Sequence, residues 1–166
     1  MTASYTWSSF VTRINVYAPI DKLYSMWATR NGMESWFLRM SEYKRANGIL
    51  QMDEGAIKGD AYCWRWHGWS DDVTEEGVIL DCNGKDFFKF SFGKAGDCTV
   101  TIKKEFEYTI VELTQENIPD DDQGKHYWHV GCKTGWTFYL ANLKSICEGG
   151  IDLRNKDERL KNMLNA

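Results

Sequence analysis

Residues 126–150 read HYWHVGCKTGWTFYLANLKSICEGG, and their spacing decides the fold. His129, Cys132, Trp136, Tyr139, Leu140, Leu143 and Cys147 recur at steps of three and four. That period places them on one apolar stripe of a helix about five turns long or more. Lys133, Asn142, Lys144 and Ser145 fall mostly outside the stripe, and Gly149-Gly150 supplies a stop. Upstream, Pro119 and the run Asp120-Asp121-Asp122 mark a break, in a loop near a helix start that favours negative charge. A long helix with one apolar face needs a surface to cover, and the residues before Pro119 supply it.

Those residues carry a period of two. AYCWRWHGW (61–69) sets Tyr62, Trp64 and Trp66 on one face. GVILDC (77–82) reads as the next strand, closed by the hairpin signal Asn83-Gly84. DFFKFSFG (86–93) puts Phe88, Phe90 and Phe92 on one side and Phe87, Lys89 and Ser91 on the other. CTVTIKKE (98–105) and TIVELTQ (109–115) alternate likewise, with Val100, Ile102, Val111 and Leu113 as the apolar members. At the other end SSFVTRINVY (8–17) is a strand with Phe10, Thr12, Ile14 and Val16 on one face, ended by Ala18-Pro19. Pro19 suits the first turn of a helix carrying Asp21, Ile20, Leu23, Tyr24 and Trp27. Asn31-Gly32 breaks it, and a second short helix carries Met33, Trp36 and Phe37. A strand is expected near Met40–Arg45, followed by a glycine-containing loop through Asp53-Glu54-Gly55 to Gly59-Asp60. Residues 154–166 read as a short terminal helix or a frayed tail.

The order is therefore strand, two short helices, about six antiparallel strands, long helix. This predicts an α+β chain in which six or seven antiparallel strands curl around the C-terminal helix as a single domain, residues 1–166. Such a sheet leaves a gap that side chains fill incompletely, the usual place for a small-molecule site.

Composition narrows the classes. Aromatics reach 14 %, so the rings must be placed before any function is assigned. A formal net charge of −4 gives no footing for nucleic acid or an anionic membrane. No stretch approaches a transmembrane span, and the first residues lack a signal-peptide apolar core, so the chain is expected in the cytoplasm. The cysteines Cys63, Cys82, Cys98, Cys132 and Cys147 are scattered without CxxC spacing, which reads as buried thiols in a reducing compartment.

Four stretches also carry a family likeness: RINVYAPIDKLYSMW (13–27), NGMESWF (31–37), the aromatic strands with FFKFSFG (87–93), and GWTFYLANLKSICEGG (135–150). Over roughly residues 8–149 the chain resembles the START/birch-pollen-allergen superfamily (SRPBCC). Within it, the chain resembles the single-domain bacterial proteins named after the activator of heat-shock protein 90 ATPase. The resemblance implies a helix-grip fold with a ligand-accommodating cavity. In the eukaryotic activator a separate N-terminal domain, with an Asn-rich motif containing Trp-His-Trp, contributes strongly to ATPase stimulation. Here Trp64-Arg65-Trp66-His67 reads as a strand rather than that motif, so the chain alone is not expected to stimulate a chaperone ATPase strongly.

Candidate site residues follow. Trp64, Trp66, Phe88, Phe90, Phe92 and Trp136 either line a pocket for a flat or greasy ligand or fill it, and Tyr62 and Tyr139 are the candidate polar handles. His126, His129 and Cys132 at i, i+3 and i+6 are weighed as zinc ligands and set aside, because i+6 turns well round the helix and no fourth ligand is evident. His67 is read as a surface or rim residue. Glu105 and Glu107 straddle a turn, and no nucleophile elbow, P-loop, dinucleotide fingerprint or zincin motif occurs. No catalytic residue, metal or cofactor is assigned. The expected function is binding of an apolar, aromatic or lipid-like small molecule. The alternatives are a chaperone-associated module and a cyclase- or dehydratase-like enzyme using the same cavity. A monomer or homodimer is expected, without nucleic-acid or membrane partners.

Overall fold

Alternation of apolar and polar side chains makes strands only where one face has something to cover, and here every strand shares one such face. In the computed structural model, which describes residues 4–164, eight antiparallel strands form one curved sheet. They are β1 (Phe10–Asn15), β2 (Met40–Arg45), β3 (Gly48–Ile49), β4 (Ala61–Arg65), β5 (Glu75–Cys82), β6 (Phe87–Ser91), β7 (Asp97–Glu105) and β8 (Tyr108–Glu116). The spatial order is β1-β8-β7-β6-β5-β4-β2-β3. The strand beyond the expected six or seven is β3, two residues that pair with Lys44 and Arg45. Two residues carry no period, so sequence gives no sign of them. Trp66 and Phe92 sit just past the ends of β4 and β6 rather than within them.

The two short helices are α1 (Ile20–Ala28) and α2 (Arg30–Trp36). The break between them is at Thr29, not at Asn31-Gly32. Thr29 Oγ1 accepts from Gly32 N at 2.9 Å and donates to Ser25 O at 2.8 Å, capping one helix as it leaves the other. Gly32 lies inside α2 because the helices cross there: a Cβ would fall 2.1 Å from Ser25 O.

The long helix begins as a π-helical segment, Gly124–Val130, and runs on into α3, Gly131–Cys147. Trp136, Tyr139, Leu140 and Leu143 of the expected stripe enter the core beside residues of α1, α2 and the strands, and α3 packs on β1 and α2. Asn142 departs from the reading. It is fully buried, donates to Trp36 O (2.7 Å) and accepts from Leu153 N (2.8 Å), so it ties α3 to α2 and to the chain beyond it.

That following chain is neither helix nor frayed end over its described part; residues 165 and 166 lie outside the described residues. Arg154 buries its guanidinium and donates to the carbonyls of Glu34 (3.1 Å), Ser35 (3.0 Å) and Leu38 (3.0 Å). Glu34 and Ser35 are in the last turn of α2, whose carbonyls the helix cannot satisfy itself, and Leu38 lies just past its cap. Asp152 pairs with the same guanidinium at 2.8 Å.

Residues 50–60 lack periodicity yet are fixed by a second buried ion pair. Asp60 takes both its oxygens to Arg45, each at 2.8 Å, and accepts from Ile57 N at 2.8 Å. Burial alone would raise the Asp60 carboxyl, but the Arg45 and Ile57 hydrogen bonds outweigh it and hold the group below the usual carboxylate range.

Two outcomes follow from these anchors. Arg154→Ala strands three carbonyls and costs about 3 kcal/mol in denaturant unfolding, with Arg154→Lys a poor rescue because an ammonium cannot span the three. A lowered folded-state pKa means that the Asp60 contribution is complete above the unfolded carboxyl value of about 3.9 and is lost as pH falls through the folded value. Chemical denaturation across acid pH therefore shows a loss of stability below about pH 4 that Asp60→Asn flattens.

Candidate functional site

The middle of the inner sheet face is solid. Tyr62 and Trp64 stack at 3.8 Å between ring centres, Trp64 meets Phe90 at 5.2 Å, and Phe88 lies 6.2 Å from Phe90. All four are buried, and the Tyr62 hydroxyl is spent on Ser91 O. Trp136 reaches down from α3 into this layer. Its ring stacks on Phe37 at 4.9 Å and stands 5.7 Å from Phe92, and its Nε1 donates to Gln115 Oε1 at 2.9 Å.

Beyond these rings the filling stops. A cleft of about 560 Å³ opens between the strand ends and the first turns of the long helix. Trp66 and Phe92 project into it from just past β4 and β6, with Phe37 from the end of α2 and Trp69 from the next loop. The helix contributes Tyr127, Cys132, Gly135, Trp136 and Tyr139, and the tail contributes Asn162, Met163 and Leu164. Arg39 fixes the loop that carries the two tryptophans, donating to Trp66 O at 3.3 Å and pairing with Asp71. Of the residues picked from sequence, Trp66, Phe92, Trp136 and Tyr139 meet in this cleft; Tyr62, Trp64, Phe88 and Phe90 stand behind it. Phe37 read only as a helix residue, and Trp69 sat outside the strand alternation. Gly135 had no apolar signal at all. It lines the cleft by omission, since a Cβ there would meet nothing within 4 Å. The apolar pair Met163-Leu164 in a polar tail was the one visible hint of that wall.

No lysine, arginine, aspartate or glutamate lines the cleft. Burial pushes the Cys132 thiol and the Tyr139 hydroxyl above their ordinary values, so both are neutral at physiological pH and neither is an activated nucleophile. Glu75, at the start of β5, is paired across the sheet with Trp64, and its carboxylate stands against Gly93. The histidines lie elsewhere. Both ring nitrogens of His129 are occupied, by the Tyr5 hydroxyl (2.7 Å) and Trp7 O (2.8 Å), while His126 is exposed against Tyr127. His67 is half-buried, and burial together with Arg154, Lys156 and Arg39 lowers its pKa. Among the described residues no three His, Cys, Asp or Glu side chains are grouped to hold a metal ion. A smaller hollow of about 400 Å³ between Asn15–Pro19 and the start of β8 has its one lysine, Lys104, already bonded to Thr109.

Trp136 is both wall and core, so its truncation has a defined cost. Trp136→Ala lowers stability by about 3–5 kcal/mol. Trp136→Phe keeps the ring but removes the donor to Gln115, and costs about 1–2 kcal/mol in the same unfolding experiment.

Comparison with known proteins fits this geometry. None of the curated proteins matches the chain. Among solved structures, the protein SSP2350 from Staphylococcus saprophyticus superposes with a TM-score of 0.68 at 19% identity, over 88% of this chain and 96% of that one. The Aha1 dimer from Colwellia psychrerythraea gives 0.64 at 16% identity, over 86% and 97%. CalU16 from Micromonospora echinospora gives 0.61 at 19% identity, over 87% and 77%. At these identities the likeness is one of fold. The sequence of residues 17–148 matches the family described as Activator of Hsp90 ATPase homolog 1-like protein, and that span is most of the sheet and the whole of the long helix. The chain belongs to the family of Activator of Hsp90 ATPase homolog 1-like proteins.

Proposed function

We propose that this chain is a single-domain cytoplasmic binding protein for a small apolar, aromatic or lipid-like molecule, held in the cleft between the strand ends and the long helix. The observation that carries the reading is the cleft wall itself: Trp66, Trp69, Phe92, Trp136 and Tyr139 converge on about 560 Å³ with no formal charge among the lining residues. That combination suits a flat or greasy body, bound by dispersion and stacking with loose selectivity. The protonated thiol and phenol, and the lack of a lining acid–base pair, favour binding over catalysis. The five free cysteines support a reducing compartment.

Gly135 gives a clean test. Gly135→Leu adds a side chain where there is open space, at a helical position where leucine is preferred to glycine. Stability holds or rises by about 0.5–1 kcal/mol, while the tryptophan fluorescence response to a panel of fatty, steroidal and aromatic compounds disappears. A panel that leaves the fluorescence of the parent protein unchanged ends the reading.

The second reading is a chaperone-associated module. It is favoured by the family match and by the apolar groups exposed around the cleft, Trp69, Tyr127 and Leu164. The chain alone is expected to leave the ATPase rate of the host's chaperone essentially unchanged at stoichiometric amounts. Several-fold stimulation in a coupled assay would reverse the order of the two readings.

A further inference from the structure

Glu75 lies on the inner face of the sheet, directly paired with Trp64 across β4 and β5. Its carboxylate is half-buried, yet among the described residues it accepts no hydrogen bond and forms no ion pair. Burial and the neighbouring Glu76 raise the Glu75 carboxyl above its ordinary value, and among the described residues no arginine or lysine pairs with it, whereas Asp60, Glu148 and Asp152 each have one. The opposite member of the pair is also unsatisfied: the Trp64 Nε1 donor is buried without an acceptor. Space is kept for the carboxylate. Gly93 holds φ +51, and a Cβ there would lie 2.5 Å from Glu75 Oε1. Gly93 follows Phe92, a wall of the cleft, and Glu75 is close enough to Cys132 on the facing wall for its charge to raise that thiol. An unpaired carboxylate in a partly dry corner is costly unless something supplies a counter-charge. Among the described residues the chain supplies none. It does supply aromatic faces, which attract cations through their quadrupoles.

We propose that Glu75 is the polar anchor of the cleft, and that the molecule bound there carries a cationic amine on a flat apolar body. This rests on the cleft being a binding site. The aromatic rings take the body of the ligand, and the ammonium group approaches Glu75 beside Phe92 and Gly93. An anionic amphiphile of the same shape meets like charge and no cation.

Three probes with one ring system separate the possibilities: naphthylmethylamine, naphthylmethanol and naphthoic acid, each titrated calorimetrically into the full chain at about pH 8, well above the ordinary carboxylate range and below that of an alkyl ammonium. The amine binds about tenfold or more tighter than the alcohol, and the acid most weakly. Glu75→Gln, which keeps the shape of the side chain, brings the amine down to the affinity of the alcohol and leaves the alcohol unchanged. Gly135→Leu abolishes binding of both. Equal binding of all three probes, or an amine preference that survives Glu75→Gln, overturns the role of Glu75 while the cleft stands. Amine binding that survives Gly135→Leu places the amine on the acidic surface instead and also overturns the proposal. Failure of all three probes to bind overturns the role of Glu75, and the fatty, steroidal and aromatic panel then decides the cleft reading separately.

Discussion

The hydrogen bond from Trp136 Nε1 to Gln115 Oε1 crosses from the long helix to strand β8 in a region with no water to compete for either group. Gln115 is fully buried and otherwise occupied: its amide nitrogen donates to Ala95 O at 2.9 Å, and the Cys98 thiol approaches the same oxygen at 3.5 Å. A buried amide so completely used is worth little net energy but tolerates few arrangements. Apolar side chains alone would let the helix slide or roll on a sheet face rich in rings. This bond sets where Trp136 stands, and the Trp136 ring sets the rest. It fixes Phe37 on one side and Phe92 on the other, and so determines where the close packing ends and the cleft begins.

The same rings explain why the inner face encloses so little empty space. Tyr62, Trp64, Phe88 and Phe90 each occupy volume on the axis of the curve, in edge and stacked contacts that favour close approach. Curvature around one helix leaves room, but four large rings from β4 and β6, on either side of β5, consume it. Room survives only beyond the strand ends, where Trp66 and Phe92 have left the regular alternation and glycine replaces a side chain on the helix. The cleft is therefore open at the rim rather than sealed within the domain.

What the sequence made legible was whatever repeats. The helix stripe, the alternating strands and the inward rings were readable because burial imposes a period on them, and the family likeness rested on the same stretches. What it hid was structure held by single polar contacts. Asn142 looked like a solvent-facing helix residue and is a buried joint. Arg154 looked like part of a frayed tail and closes the end of α2. Asp60 looked like a loop residue and is a buried counter-ion. None of these has a neighbour at a fixed spacing that announces its partner. The site was half legible for the same reason: aromatic identity flagged Trp66, Phe92, Trp136 and Tyr139, while Gly135 and the tail contribute by absence and by long-range return of the chain.

That return couples two separate features, the end of α2 and the cleft. Asn142 and Arg154 hold residues 152–154 against α2, and only eight residues separate Arg154 from Met163 at the cleft. The route of the tail is thus fixed at its root, while its end rests against the cleft with Met163 and Leu164 exposed. Leu164 borders both the cleft and a neighbouring groove formed by Tyr5, Trp7 and Phe138 on the other flank of the helix. It remains largely exposed, so it contributes a wall without being committed to either hollow. Arg154 does not line the cleft, so its hydrogen bonds to α2 are separate from the wall that Met163 and Leu164 form there. The tail is therefore divided between two tasks carried by different residues: its root holds the end of α2, and its tip borders the cleft.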